Sequence, residues 1–243
     1  MTREDRNNAA VSEAVGYIIL FAIVTLSMGV IYAVGYPALQ SNMDANVFES
    51  AEQNFIVLQG NMKKVSFDQA PVKILKVKLQ GTSISVGNGS SITISYDNNT
   101  IHSSIGDIEF LKDDKAITYE MGSVFKRYPP RGMLMVSKPP MYIDTINNVS
   151  ITTIGIVSVT GDTGMAGRGI ATVMMKHGAS EMNMSSGLTD VTLQINSTYA
   201  PKWKQYLEET GFEITNSTDS TVSARKNETI LTVSKHIVYV EIT

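Results

Sequence analysis

The sequence predicts an α+β protein: an N-terminal transmembrane helix extended by an amphipathic helix, then an antiparallel β-rich, sandwich-like ectodomain and a small C-terminal α/β unit. Three observations carry this prediction. No charged residue occurs between Ala14 and Met43. Apolar residues then recur at helical spacing as far as Val65. From Pro71 onward the apolar period changes from 3.6 to 2, with turn residues every eight to twelve positions.

The apolar stretch Ala14 to Tyr36 is long enough, at roughly 34 Å as a helix, to cross a hydrocarbon core of about 30 Å. Tyr17, Tyr32 and Tyr36 lie toward its ends, where amphipathic rings favour the interface. The small-x-small run Ala33-Val34-Gly35 leaves signal-peptide cleavage as an alternative. Arg3 and Arg6 precede the span, whereas residues 37–62 hold no Lys or Arg but carry Asp44, Glu49 and Glu52. The positive-inside rule therefore places residues 1–13 in the cytoplasm, residues 14–36 in the cell membrane as a single pass, and the rest outside.

Residues 37–68 read as an extracellular amphipathic helix, with Pro37 beginning or bending it. Val47, Ala51, Phe55, Leu58, Met62 and Val65 fall within roughly 80° of arc, a narrow apolar stripe. The stripe suits packing on the chain's own β domain or on helices of other subunits. Val47, Ala51, Phe55, Leu58 and Met62 are thus candidate assembly residues.

Residues 70–187 read as the β-rich ectodomain. Runs at 75–79, 84–86 and 92–94 alternate apolar with polar residues, and further strands are expected at 101–105, 107–111, 116–120, 122–126, 132–137, 149–159 and 169–176. Tyr128-Pro129-Pro130-Arg131 and Pro139-Pro140 mark loops or edges. Residues 188–243 read as a small α/β unit: a strand at 190–196, a helix with a Ser197 or Thr198 cap, Pro201 in its first turn and a stop at Gly211. Trp203, Tyr206 and Leu207 would pack that helix on strands at 212–215, 220–225, 229–233 and 236–242.

Composition narrows the chemistry. The chain has 20 basic against 23 acidic residues, so bulk polyanion or nucleic-acid binding is not expected as its main role. With no cysteine, thiol catalysis, Cys-ligated zinc and iron–sulfur clusters are excluded. The glycine-rich run 161–169 lacks the Gly-Lys-Ser/Thr ending of a phosphate loop and reads as a mobile inter-strand loop. Nine methionines between 121 and 184, with His177 among them, have the donor types for Cu(I) but also suit adaptable core packing, and no metal or cofactor is expected. Asp113-Asp114, Asp144 and Glu208-Glu209 form no paired acid/base arrangement, and the chain is not expected to be an enzyme.

Asn-x-Ser/Thr acceptor sequons occur at Asn88, Asn98, Asn148, Asn183, Asn196, Asn216 and Asn227, against about three expected by chance. All lie beyond the predicted span, consistent with N-linked glycans on an external domain.

The stretch Ala10-Val11-Ser12-Glu13-Ala14-Val15-Gly16-Tyr17-Ile18-Ile19-Leu20-Phe21-Ala22-Ile23-Val24 resembles the N-terminal segment of archaeal type IV pilin-like and archaellin-like proteins. Phe55-Ile56-Val57-Leu58-Gln59, Tyr119 to Phe125 and the Pro201-to-Tyr206 helix resemble a group of archaeal surface proteins with that N-terminus. The resemblance implies an anchor helix in the lipid bilayer that later packs with other pilin-like subunits. It also implies a role for Glu13, which could neutralise a neighbouring subunit's terminal ammonium. The chain departs from the pilin pattern at the cleavage site, where Arg6-Asn7-Asn8-Ala9-Ala10 replaces the usual basic residue and glycine. The expected function is therefore an anchored, pilin-like envelope protein with a structural, adhesive or minor-pilin role. The alternatives are a processed filament subunit and a membrane-tethered ligand-binding ectodomain.

Overall fold

The computed structural model describes residues 3–130 and 132–243, with side chains from Val15 onward. The chain opens with helix α1 (Arg3–Val30), a single π-helical segment (Ile31–Gly35) and helix α2 (Tyr36–Ser66). Pro37 explains the π segment. Its ring lacks an N–H and crowds the carbonyl of Ala33, four residues back, so the backbone widens just before it instead of stopping.

The structure divides into two units, residues up to Glu49 and residues from Ser50. In the first unit the side chains from Val15 to Tyr36 are almost all exposed although they are apolar. Phe21, Leu26 and Tyr32 are more than two-thirds exposed. Thr25 and Ser27 donate their hydroxyls to the Phe21 (2.9 Å) and Ile23 (2.7 Å) carbonyls, so their polar groups are satisfied within the helix.

The second unit holds residues 50–66 of α2, twelve strands and a short helix. The strands are β1 (Val72–Gly87), β2 (Ser91–Tyr96), β3 (Asn99–Ser104), β4 (Asp107–Lys112), β5 (Lys115–Glu120), β6 (Ser123–Tyr128), β7 (Gly132–Ser137), β8 (Met141–Ile146), β9 (Val149–Thr160), β10 (Gly164–Asn196), β11 (Glu213–Ser217) and β12 (Thr221–Ile242), with α3 (Ala200–Glu209) between β10 and β11. All twelve hydrogen-bond into one sheet in the order β7-β6-β5-β4-β1-β10-β12-β9-β8, with β2 and β3 branching from β10 and β11 from β12. The ladders are antiparallel except β12 on β9, which run parallel. The fold class is the α+β arrangement that the change of period predicts.

Several elements depart from the sequence reading. The glycine run is not a loop from 161 to 169: β10 starts at Gly164, and residues 164–169 pair with Ser85 to Leu79 of β1. Close approach explains the glycines. A Cβ on Gly161 would stand 2.2 Å from the Val240 carbonyl oxygen, and one on Gly164 would stand 3.0 Å from Ser85 Cβ. The two strands expected at 169–176 and 190–196 are parts of the single strand β10, which runs unbroken across residue 187. Register shifts at His177/Ser180, Met184/Leu188 and Thr189/Val191, with a largely exposed stretch between the first and last, interrupt the alternation of buried and exposed residues and so erase the period-2 signal there. The same shifts explain why β12 reads as three short strands. Strand β8, absent from the sequence reading, is an edge strand paired only with β9 and entered through Pro139-Pro140.

The core has two parts. Ala51, Phe55, Leu58, Met62 and Val65 are buried, and Phe55 meets the Phe110 ring of β4 edge-on at 6.4 Å. Glu52 pairs with Lys126 of β6. Gln59 donates to the Gly122 carbonyl (2.5 Å) and accepts from Ser137 Oγ (2.6 Å), tying the polar edge of the helix to the β5–β7 region. Around α3, Trp203, Tyr206 and Leu207 are buried as the amphipathic pattern predicts, with Phe125 stacked on Tyr199 at 4.5 Å and tilted against Trp203 at 5.6 Å. The α3 cap differs from expectation. Tyr199 is the N-cap, and Ser197 Oγ accepts the Tyr199 N–H (2.9 Å) just ahead of it. Gly211, at φ +83°, ends the helix.

Phe55 is fully buried, and truncating it removes the ring contact with Phe110. Phe55→Ala is expected to cost about 3–5 kcal/mol of stability, read from denaturant unfolding of the detergent-solubilised chain.

Candidate functional site

The segment Val15–Ser66 forms one helix long and apolar enough to cross a membrane, and its most apolar window is unburied by the rest of the protein. Its backbone polar groups are paired within the helix, the condition that hydrocarbon imposes on any spanning element. The residues proposed for assembly separate into groups. Glu13 lies in α1, but its side chain is outside the described ones. Val47 belongs to the first unit. Ala51, Phe55, Leu58 and Met62 are buried inside the second unit, so the stripe packs within the chain and these four are not available to other subunits. The physical reason is the unpaired apolar face of the β1–β4 region, which Phe110 presents to the helix.

Of the sequon asparagines, Asn88, Asn98, Asn148, Asn216 and Asn227 are exposed, the middle three of these five in or beside turns or bulges. Asn183 and Asn196 are half-buried on β10. The Asn196 amide is engaged on both sides, donating to Ser91 Oγ (3.2 Å) and accepting from Thr221 Oγ1 (2.9 Å).

The methionines do not converge. Met121 and Met141 join the core around α3, Met175 is buried on β10, and Met182 and Met184 are exposed. His177 donates Nδ1–H to the Val65 carbonyl (3.0 Å) at the C-terminus of α2. No group of three or more His, Asp or Glu among the described residues is placed to hold a metal ion. Asp113, Asp114, Asp144, Glu208 and Glu209 are all exposed and separate.

Two recesses were not legible in the sequence. The first of these, about 350 Å³, is a mostly apolar cleft between the last turns of α2 and the β7–β8 connection. Ile56, Gly60 and Phe67 form one side, Pro139, Pro140 and Tyr142 the other, and Lys63 stands at its margin. A Cβ on Gly60 would meet nothing within 4 Å, so the glycine leaves open space in the cleft. The size and apolar lining are those of a small-molecule pocket.

The smaller recess, about 70 Å³, gathers Asp107, Glu109 and Glu120 with Thr118 and Tyr199. The β4–β5 register brings Asp107 directly opposite Glu120. Glu120 is buried and accepts from Trp203 Nε1 (2.6 Å) and Ser197 Oγ (2.9 Å), so one carboxyl group pins α3 and its approach to the sheet. Burial pushes its pKa up to about 7, opposed by these two hydrogen bonds and reinforced by the charge of Asp107. Burial and the neighbouring Glu109 raise Asp107 to about 6. Alternation along the strands holds the clue to this recess, because Asp107 and Glu109 share a face of β4.

An unburied apolar helix followed by a single large sheet defines this chain as one with a membrane-spanning candidate and a folded β-rich unit. Residues 9–243 match the family of unknown function DUF7289, and the chain belongs to that family. Neither the curated proteins nor the solved structures contain a match to it.

Because the folded chain holds the Glu120 and Asp107 protons more tightly than the unfolded chain, raising pH withdraws stability. For Glu120 the window runs from about 4.5 to about 7. Unfolding midpoints are expected to fall across this window, and Glu120→Gln to flatten the decline; thermal melts from pH 4.5 to 8 measure both.

Proposed function

We propose that the chain is a non-enzymatic, pilin-like protein of the archaeal cell envelope. In this reading one helix anchors it in the membrane, and its β-rich, glycosylated domain is displayed outside in a structural or adhesive role. The observation that carries the reading is the span from Val15 to Tyr36, apolar on every side and unburied by its own protein. Leaving that surface in water would oppose solubility at roughly 25 cal/mol for each Å² exposed, so it requires lipid or other helices around it. Arg3 and Arg6 before the span, with acids and no basic residue directly after it, support a cytoplasmic N-terminus. The exposed sequons support an external domain.

The filament alternative draws on the same span. With the 51–62 stripe occupied inside the second unit, contacts between copies fall to the exposed faces of residues 15–36. N-terminal sequencing separates the two: a mature start near Ala10 favours the filament subunit, and Met1 or Thr2 the permanent anchor. The cleft beside α2 supports a second reading, a tethered ligand-binding domain. A side chain at Gly60 enters open space, so Gly60→Leu is expected to abolish any saturable small-molecule binding there while leaving the melting temperature within a few degrees.

The anchor reading predicts that the native protein stays in the membrane pellet after high-salt and carbonate washes and is released only by detergent. Ile23→Lys places a charge mid-span at a cost of about 2.5–3.5 kcal/mol on insertion scales and should shift much of the protein out of that pellet. Recovery of the unaltered chain in the soluble fraction would refute the anchor.

A further inference from the structure

The solvent face of the β1–β10–β12 region concentrates charge that the whole-chain balance conceals. Strand register sets its composition. On β1 the buried residues are Val77 and Leu79, so Val72, Ile74, Lys76 and Lys78 point outward. Their partners on β10 are Lys176, Met174, Thr172 and Ile170, with Arg168 opposite Gln80. On β12, Tyr239 lies opposite Lys176 and Glu241 opposite Met174. This face therefore carries Lys76, Lys78, Arg168 and Lys176, with the Glu241 side chain as the one carboxylate side chain among the paired positions named, in a chain whose net charge is −3. Among the described residues none of the four lies in an ion pair, a state they share with other lysines such as Lys115 and Lys235, so it is their alignment on one face that distinguishes them.

The arrangement is linear. A two-residue step along a strand is about 6.8 Å and neighbouring strands lie about 4.8 Å apart, so the cations form a narrow file about 27 Å long from Lys176 to Arg168. Tyr239 flanks its Lys176 end with 51% of its surface exposed. The ring is held: a Cβ on Gly178 would stand 2.9 Å from Tyr239 Cε2, so the aromatic side chain packs against that glycine. A restrained, outward-facing aromatic beside an ammonium group supplies a stacking platform and a charge partner together.

We propose that this face binds a linear acidic polysaccharide of the uronic-acid class. A sugar ring packs on Tyr239, and successive carboxylates pair with Lys176, Lys76, Lys78 and Arg168. Charge complementarity selects a polyanion, the single file selects one extended chain over a planar bilayer, and the aromatic platform selects a sugar over a polypeptide or duplex. The proposal uses none of the residues that carry the anchor reading, so membrane pelleting and polysaccharide binding fail independently.

The test measures binding of polygalacturonate to the full-length chain in nanodiscs of zwitterionic lipid. Binding is expected at 50 mM salt and to weaken at 200 mM, because releasing counterions into a more concentrated bulk gains less entropy. The double variant Lys76→Glu/Lys78→Glu is expected to weaken it at least tenfold. Tyr239→Ala is expected to weaken it several-fold while leaving the salt dependence unchanged, and Lys202→Glu on α3 to have no effect. These positions are exposed or half-exposed, and circular dichroism verifies folding; should the double variant misfold, Tyr239→Ala alone decides. Absence of polygalacturonate binding, equal binding of polyglutamate, or preference for duplex DNA or for anionic nanodiscs would each overturn the proposal.

Discussion

One continuous stretch of helix must satisfy two different surroundings, and the rest of the protein depends on how its side chains are distributed to do so. From Val15 to Tyr36 the circumference is apolar all round and its large side chains are exposed. From Ser50 to Ser66 the apolar residues contract to a stripe, buried at Ala51, Phe55, Leu58, Met62 and Val65, while Glu52 and Gln59 on its flanks bond to the sheet. A helix can serve both settings because its backbone hydrogen bonds are internal, leaving only side-chain chemistry to match the medium. The π segment before Pro37 preserves that continuity: a proline that would otherwise break the rod is absorbed by one widened turn.

The sheet depends in turn on two strands of unusual length. β10 pairs with β1 through its first part and with β2 through its last, while β12 follows it along most of its course. A flat ribbon of that length could not enclose a core. The three register shifts between β10 and β12 supply the bends, since each leaves one or two extra residues on one strand and increases local twist. The core around α3 fills the space that bending creates, and Glu120 fastens it by joining Trp203 and Ser197 to the end of β5.

What the sequence disclosed and what it hid follow from the range of the interactions involved. The span, the 47–65 stripe, α3 and the short hairpin strands β2 to β7 were legible because each is specified by residues within a few positions of one another. The long strands were read as fragments because bulges at His177, Met184 and Thr189 interrupt the alternation on which the reading relies. The glycines at 161 and 164 looked like loop residues because their constraint comes from Val240 and Ser85, far away in sequence. The cleft and the acidic recess were invisible for the same reason: Gly60 comes to face Pro139 across the cleft, and Asp107 comes opposite Glu120, only through tertiary register. The stripe is instructive in a different way. Its spacing established that it must be covered, yet only the position of Phe110 identified the chain's own sheet as the cover.

Averaged charge misleads for a related reason. Twenty basic residues against twenty-three acidic ones describe a chain with no electrostatic character, but a strand sorts its residues by parity. Lys76 and Lys78 are two residues apart and so share a face, and antiparallel pairing with β10 sets Lys176 and Arg168 on that same face. The inward positions between them, Val77 and Leu79, are required by the core, so burial itself forces the cations together outside. Four cations with no ion pair among the described residues, spread over about 27 Å, repel one another only through neighbouring members of the file, and a polyanion laid along it relieves each of those contacts. Elsewhere some cations have a carboxylate partner, as with Arg225 and Asp190 or Lys138 and Glu209, but those stand apart from one another and form no file. What sets the β1–β10–β12 face apart is therefore the alignment of its cations, with the half-exposed Tyr239 at one end of the file.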